Sequence, residues 1–269
     1  MELSDIKKHW QNLAKTHTTT LFATTKTQSI KLLEIAALSK CIKKKFNKIQ
    51  KIDILEVGCG NGQNIFRLAK EFKNAKFSGI DYVEDMVQNA KSLQNKYNLK
   101  NVNFEVGDIL ELNCKQKFDV VFTDRCIINL NSINLQKIAV KNLANQLKDD
   151  GILILIENSS KTYAKQNMLR QTLKLPARTN DLYNLFIDED EIINFAINEL
   201  DLELLKTDDF SSLHDLMLYV LLPCINGGAV EYNHPLINAT TELLLNSKID
   251  CNFGDFGQNR LFLFAKNQK

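Results

Sequence analysis

The sequence has little net charge. Its 34 lysine and arginine residues stand against 32 aspartate and glutamate residues, which gives a formal net charge of +2. A chain this close to neutral has no overall field that would attract nucleic acid or an anionic membrane, so neither is expected as a partner. Arginine is scarce, and only five residues carry the planar guanidinium that binds phosphate or carboxylate bidentately.

Targeting signals and metal-binding motifs are also missing. The first ten residues contain no apolar signal region. The most apolar stretch, residues 213–225, is interrupted by His214 and Asp215 and is far shorter than the roughly 20 residues that span a bilayer. The six cysteines form no C-x-x-C pair and no zinc-binding spacing. We therefore expect a reduced, cytoplasmic chain without a metal site.

The length and composition suit one large domain. The chain has 269 residues, 44% of them hydrophobic, which is enough for an α/β domain with a full core. Residues 1–47 combine a Thr-rich loop with an amphipathic helical pattern over 28–46 and are expected to form a helical lid. Residues 48–269 are expected to form the main domain.

Strand and helix patterns alternate along the main domain. Short apolar runs predict buried strands at 51–57, 76–81, 102–106, 118–123 and 152–157. Amphipathic helical patterns lie between them, the last over 132–148. This alternation predicts a parallel sheet with helices on both faces and with ligands at the carboxyl ends of the strands. Two final strands are expected at 202–207 and 260–266, and cap insertions at 158–187 and 210–259, the second of them helical.

The most specific motif is glycine-rich. It reads Leu55-Glu56-Val57-Gly58-Cys59-Gly60-Asn61-Gly62, follows a predicted strand and precedes a helix. Glycines at such a turn let the backbone bend tightly and approach a ligand closely. A dinucleotide-binding motif would need another glycine at position 63, where the chain has Gln63, so an NAD-dependent dehydrogenase is disfavoured.

This motif resembles motif I of the class I S-adenosylmethionine-dependent methyltransferases. The resemblance implies a Rossmann-like, seven-stranded, mostly parallel sheet with an antiparallel last strand, an N-terminal helical lid and helical cap insertions. It also implies that Glu56 and the backbone of Gly58 and Gly60 hold the methionine end of S-adenosyl-L-methionine.

Two more elements follow in the order of that family. Asp81 ends the second predicted strand, and Asp108 follows the third. The resemblance implies that Asp81 accepts hydrogen bonds from both ribose hydroxyls, and that Asp108 binds the adenine amino group with Ile109 against the ring. The expected cofactor-binding set is completed by Tyr82, Met86 and Asp124. The alternative role of Asp81 is to cap a helix, and the alternative role of Asp108 is to cap a turn.

The segment after the fourth strand concerns the methyl acceptor. Residues 123–130 lack the Asn/Asp-Pro-Pro-Tyr motif with which family members bind a planar amino nitrogen, and they lack a Pro-Cys nucleophile. Methylation of a nucleobase or of glutamine is therefore disfavoured. Arg125 is expected to act beside the transferred methyl group and to clamp an anionic acceptor. The alternative for Arg125 is a salt bridge to Asp124 or Asp108.

Other candidate acceptor residues lie outside this segment. Arg178 in the first insertion and Arg260 at the start of the last strand are expected to bind substrate. His17 and His214 are candidate general bases for a hydroxyl acceptor, whereas an oxygen that is already ionised would need no base. His9 is less favourably placed in the sequence.

Segments 124–130, 208–213 and 254–257 resemble a branch of methyltransferases found among bacterial surface-polysaccharide enzymes. The resemblance implies methyl transfer to a small sugar-linked or phosphoryl-type oxygen acceptor. An RNA or protein methyltransferase and a non-catalytic S-adenosylmethionine-binding protein are the alternatives. The sequence leaves the oligomeric state open.

Overall fold

The computed structural model describes residues 1–266. Its strands are β1 (Asp53–Val57), β2 (Lys76–Asp81), β3 (Val102–Val106), β4 (Phe118–Asp124), β5 (Leu147–Asn158), β6 (Leu202–Asp208) and β7 (Asn259–Lys266). Its α-helices are α1 (Leu3–His17), α2 (Gln28–Lys45), α3 (Gln63–Glu71), α4 (Glu84–Tyr97), α5 (Ile133–Ala144), α6 (Ser160–Thr172), α7 (Glu189–Leu200), α8 (Ser212–Leu216), α9 (Leu222–Ile225) and α10 (Pro235–Asn246). A π-helical turn, Met217–Leu221, joins α8 to α9.

The strands form one sheet in the order β3-β2-β1-β4-β5-β7-β6. The first five pair in parallel, and β7 runs antiparallel to both β5 and β6. The α-helices α3, α4 and α5 follow β1, β2 and β4, whereas β3 and β4 are joined by a segment with one 3₁₀ turn, Ile109–Glu111. The predicted seven-stranded, mostly parallel Rossmann-like sheet with an antiparallel last strand is therefore confirmed.

Strand β5 shows why the core is continuous on both sides of the sheet. Ile152, Ile154 and Ile156 face a cluster formed with α2, α3 and α4. Leu153 and Leu155 face a second cluster formed with α5 and α7. Because successive side chains of a strand point to opposite faces, a strand covered on both sides needs an unbroken apolar run.

The helical pattern over 132–148 overestimates the length of α5, which ends at Ala144. Leu147 instead begins β5, where it pairs with Phe118. The register of this ladder then shifts before Ile152 pairs with Val120. Leu147 is buried in the cluster that also holds Leu143 of α5. Its apolar character fits either element, and the tertiary pairing decides between them.

Candidate functional site

A cavity of about 950 Å³ lies at the carboxyl ends of β1, β2 and β4. Its walls come from the glycine-rich loop, from α1 and the loop before α2, and from the segments that follow β5 and β6. Ligand pockets commonly span about 300–1,000 Å³, so this cavity has room for a cofactor and a small acceptor. The predicted site residues that line it are His17, Glu56, Gly58, Gly60, Asp81, Tyr82, Met86, Asp108, Ile109, Asp124, Arg125 and Arg178.

The glycine-rich loop is held against β2 by its backbone. The N–H groups of Gly58 and Cys59 both donate to the carbonyl oxygen of Ile80, at 2.7 and 3.0 Å. Gly58 has a φ of +74°, and a Cβ atom at this residue would lie 2.4 Å from Sγ of Cys126. Both the left-handed backbone and the close approach of Cys126 require glycine here. The loop therefore presents bare backbone to the cavity.

Glu56 presents an unsatisfied acceptor. Its side chain is buried, and Oε1 accepts a hydrogen bond from Nδ2 of Asn64 at 2.7 Å. Its Oε2 atom is also buried and has no hydrogen-bond partner among the described residues. Burial raises the pKa of Glu56 well above its usual value. A cationic donor in the cavity would satisfy Oε2 and favour the ionised carboxylate.

Asp81 and Asp108 both use their carboxylates locally. Asp81 accepts from the backbone N–H of Gly60 at 2.8 Å and of Val83 at 2.9 Å, and burial raises its pKa to about 6. Asp108 accepts from the N–H of Leu110 at 2.9 Å and so caps a short 3₁₀ turn. The cap that the sequence left open for Asp108 is present, and both residues line the cavity.

A buried charge network lies beneath Asp124. Lys31 of α2 is buried, and its Nζ lies 2.5 Å from Oδ2 of Asp124 and 2.8 Å from Oε2 of Glu34. Burial disfavours the charged ammonium, but Asp124 and Glu34 outweigh it and raise the pKa of Lys31. Asn64 donates to the same Oδ2 atom at 2.9 Å. Asp124 is thus fixed by two donors from outside its own strand.

Arg125 lines the cavity and belongs to the same network. Its Nε lies 2.8 Å from Oε1 of Glu34, while Asp124 is more distant at 3.7 Å. One terminal nitrogen donates to the carbonyl oxygen of Thr24 at 3.3 Å. Glu34 therefore already pairs with this guanidinium, and binding of an anionic acceptor by Arg125 stays a prediction. Arg125 thus forms a salt bridge, as the alternative stated, but its main partner is Glu34 of α2.

Lys31 and Glu34 are site residues that the sequence patterns did not identify. They lie three residues apart on α2, among the apolar residues Ile30, Leu33 and Ala37. Two opposite charges at this spacing on the apolar face of a helix indicate a buried ion pair. Their partners, however, are more than 85 residues away in sequence, and no local spacing reveals such contacts.

His214 and Arg260 do not line the cavity, so the prediction that they share it with Arg125 is wrong. His214 is fully buried, with Nδ1 2.9 Å from Oδ1 of Asp215 and Nε2 3.0 Å from Oγ of Ser29. Because both ring nitrogens are engaged, His214 has no free position for a substrate proton. Arg260 is also buried, and its guanidinium pairs with Glu189, Asp209 and Asp255.

Two histidines of α1 line the cavity, whereas His214 does not. His17 lines the cavity as expected. His9 lines it too, stacked on Tyr183 with ring centroids 4.1 Å apart, and its buried Nε2 has no partner among the described residues. Burial lowers the pKa of His9, which favours the neutral imidazole. Sequence position alone ranked His9 too low, because Tyr183 comes from a distant insertion.

Polar contacts connect the wall segments around His9. Trp10 donates through Nε1 to Oδ1 of Asn129 at 3.2 Å, which ties α1 to the turn after β4. The hydroxyl of Tyr183 donates to Asp181 at 3.0 Å, and Asp181 pairs with Lys26 at 2.9 Å. Residues before α2 and residues after α6 thus meet at the edge of the cavity.

Arg178 is the predicted acceptor residue that the structure leaves most available. It lines the cavity and is half-buried. Its two terminal nitrogens donate to the side-chain oxygens of Gln166 and Gln258, at 2.9 and 3.0 Å. The centre of its guanidinium lies 3.5 Å from the ring centroid of Tyr219 and 5.1 Å from that of Tyr163. Neutral groups therefore orient this cation.

Residues 1–266 show neither a metal-binding cluster nor a membrane-spanning helix. In that range no group of three or more His, Cys, Asp or Glu side chains is arranged to hold a metal ion. None of the helices described there is both long and apolar enough to cross a bilayer. Independence from metal stays a prediction.

The site and the sheet can now be compared with known proteins. A family model described as a methyltransferase domain matches residues 49–196, just over half of the chain. The chain belongs to this methyltransferase family. The predicted methyltransferase class, with S-adenosylmethionine as its cofactor, is thereby confirmed for the family. The matched range covers β1–β5, which supply Glu56, Asp81 and Asp124.

Individual relatives are more distant. A malonyl-[acyl-carrier protein] O-methyltransferase of Bacillus cereus is 31% identical over 138 residues, which are 51% of this chain and 49% of that protein. A ubiquinone biosynthesis O-methyltransferase of Rickettsia akari is 27% identical over 160 residues, 58% of this chain and 61% of that protein. The methyltransferase therefore spans only about half to three fifths of the length of these relatives. Neither name refers to polysaccharide.

A solved structure extends the likeness of fold to most of the chain. Magnesium protoporphyrin IX methyltransferase from Synechocystis, with bound SAH, superposes with a TM-score of 0.58. The match covers 88% of this chain and 83% of that one, at 15% sequence identity. At this identity the likeness concerns the fold, and it covers a larger share of the chain than the family match does.

Proposed function

We propose that this methyltransferase transfers a methyl group from S-adenosylmethionine to an oxygen atom of a small acceptor. The observation that carries the proposal is the single cavity, which joins the residues of the cofactor motifs to a second region around Arg178. A methyl-transfer enzyme needs both binding regions in one enclosed space, because the donor and the acceptor must be aligned in line.

The residues at the cofactor end fit S-adenosylmethionine. The buried, unpartnered Oε2 of Glu56 suits the amino group of the methionine moiety. The glycine backbone at Gly58 and Gly60 lines the cavity and suits close approach of the ligand. The carboxylate of Asp81, which lines the cavity, suits the ribose hydroxyls. When bound, the cofactor supplies a methyl group on a positively charged sulfur. The chain's own contribution is to bind, orient and shield the reactants.

The network under Asp124 would fix the geometry next to the transferred group. Lys31 and Glu34 hold Asp124 and Arg125 from α2. The backbone N–H of Arg125 also donates to the carbonyl oxygen of Ile156 at 2.7 Å. We therefore assign Arg125 to positioning of the loop after β4. His17 and His9 are the candidate bases if the acceptor is a hydroxyl group.

The acceptor is proposed at the level of an oxygen-bearing small molecule. The sequence resemblance favours a sugar-linked or phosphoryl-type oxygen. The relatives named for malonyl-[acyl-carrier protein] and ubiquinone biosynthesis add a carboxyl oxygen and a hydroxyl oxygen to the classes to be tested. Acceptors of all these classes are oxygen nucleophiles, which agrees with the absence of the amino-nitrogen motif after β4.

The test is transfer of labelled methyl from S-adenosylmethionine to a panel of acceptors. The panel contains malonyl carrier protein, phenols, sugar nucleotides, phosphoryl compounds and bulk RNA, and Asp81→Asn serves as the cofactor-site control. We expect transfer to an oxygen acceptor, reduced in the variant. Transfer only to RNA would establish the alternative nucleic-acid enzyme. Cofactor binding without transfer to any acceptor would establish a non-catalytic binder.

A further inference from the structure

The guanidinium of Arg178 is held in a fixed plane inside the cavity. Its two terminal nitrogens donate to Gln166 and Gln258, and its face lies 3.5 Å from the ring centroid of Tyr219. The backbone is fixed as well, because Asn167 accepts from the N–H of Arg178 at 2.8 Å and donates to its carbonyl oxygen at 3.0 Å. Such a side chain loses little further freedom when it binds a ligand.

The charge of Arg178 is not neutralised by the protein. Among residues 1–266, no carboxylate forms a salt bridge with it within 4 Å. A second arginine lies nearby: Arg170 donates to the carbonyl oxygens of Pro176 and Tyr219, which are also neutral. Burial and the nearby cation of Arg178 lower the pKa of Arg170. Asp215, a carboxylate of the cavity wall, is engaged by His214, Gln166, Ser211 and the N–H of Gln258.

Hydrogen-bond donors remain available around this cation. A guanidinium carries further N–H groups beyond the two that Gln166 and Gln258 accept. Tyr163, whose ring packs near Arg178, also lines the cavity, and its buried hydroxyl has no hydrogen-bond partner within residues 1–266. A cation without a carboxylate partner among residues 1–266, packed against the ring that carries this hydroxyl in a partly enclosed space, matches the needs of an oxyanion.

We propose that Arg178 and Tyr163 form an oxyanion-binding subsite for the methyl acceptor, which selects molecules with a carboxylate or phosphoryl group. The inference rests on the proposed methyl transfer for its biological meaning, because this subsite shares the cavity with the cofactor motifs. The anion that binds here is either the group that is methylated or an anchor for a molecule methylated at another oxygen. In both cases a neutral analogue of the acceptor is discriminated against.

The experiment measures anion binding directly. The purified chain is titrated by calorimetry with malonate, inorganic phosphate and uncharged malonamide, with and without S-adenosylhomocysteine. We expect malonate or phosphate to bind and malonamide not to bind, and the tighter anion identifies the class. Arg178→Gln should weaken anion binding by about tenfold or more. The same change in Arg67→Gln, on α3 outside the cavity, should leave it unchanged.

A second variant guards against misfolding of Arg178→Gln. Gln258→Glu keeps the shape of the side chain and places a carboxylate against the guanidinium, so it should compete with the ligand and also weaken anion binding. Equal binding of malonate and malonamide, or anion binding unchanged in both variants, would overturn the proposal. Binding of S-adenosylhomocysteine is measured in the same samples. If the wild-type chain does not bind S-adenosylhomocysteine, this counts against the proposed function. The anion titrations without S-adenosylhomocysteine still test the subsite.

Discussion

The two ends of the cavity are built in different ways. At the cofactor end, one continuous loop and the ends of adjacent strands provide the binding groups, and backbone N–H groups fix Asp81 directly. At the acceptor end, Arg178 is oriented by side chains that come from α6, from the π-helical turn and from the residue before β7. The first construction depends on local sequence, and the second depends on how distant segments pack.

The first prediction concerns the charge network between the two ends. Glu34→Gln removes the carboxylate that contacts both Lys31 and Arg125. Breaking a buried ion pair typically costs about 3–5 kcal/mol, because the remaining charge is left uncompensated. We expect a loss of about 3 kcal/mol in the free energy of unfolding, measured by urea denaturation, since Lys31 keeps Asp124.

The control for that variant is Glu71→Gln. Glu71 also contacts two lysines, Lys43 and Lys48, but these pairs are partly exposed. Exposed ion pairs contribute up to about 1 kcal/mol each. A loss in Glu34→Gln no larger than in Glu71→Gln would show that the buried network does not support the fold.

The second prediction separates the two carboxylates at the cofactor end. Asp81→Asn should weaken S-adenosylmethionine binding by about 1.5–3 kcal/mol, the value of hydrogen bonds to a charged group. Asp108→Asn should weaken it less, because the family resemblance gives Asp108 one adenine amino group to bind and gives Asp81 two ribose hydroxyls. Calorimetry on both variants measures the difference. Equal affinities in the wild type and Asp81→Asn would remove Asp81 from the site.

The third prediction concerns crowding at the glycine-rich loop. Gly58→Ala combines a positive φ of +74° with a Cβ position 2.4 Å from Cys126. Gly227→Ala has a similar φ of +78° and open space around its Cβ. Strained backbone of this kind costs about 1–3 kcal/mol. We expect both variants to lose stability on heating, and only Gly58→Ala also to lose cofactor affinity.

The fourth prediction is a pH dependence with a definite sign. Burial raises the pKa of Asp81 to about 6. If the ionised carboxylate accepts from ribose hydroxyls as proposed, it should raise cofactor affinity by about five- to tenfold from pH 5 to pH 7, and this contribution should be lost in Asp81→Asn. The stability of the unliganded protein should change with pH in the opposite direction. Because the folded pKa lies above the unfolded value, Asp81 makes the unliganded protein less stable as the pH rises through this window.

The contrast between the two ends also explains what the sequence could predict. Alternating patterns locate every strand of the sheet, and the spacing of the glycines to Asp81 and Asp108 identifies residues that share one cavity. These features depend on backbone geometry, which short segments determine. The start of β5 was misplaced because Leu147 packs equally well in a helix or a strand.

The acceptor end was less predictable because its contacts join distant segments. His214 occupies a buried hydrogen-bond chain with Asp215 and Ser29, although it stands in a cap segment. The guanidinium of Arg260 forms ion pairs with three carboxylates from other segments. His9 gains its position from Tyr183, which lies more than 170 residues away in the sequence. A single sequence gives no spacing rule for such pairs.

The ion pair between Lys26 and Asp181 has a consequence for ligand entry. It joins two wall segments at the edge of the cavity, and both side chains are substantially exposed, at 57% and 42%. Mobile ions screen such a pair strongly, whereas they act little on the buried contacts of Lys31 and Glu34. We therefore expect added salt to weaken this contact at the edge of the cavity and to leave the buried contacts beneath Asp124 nearly unchanged, so that ligand exchange rates change more than the geometry inside the cavity.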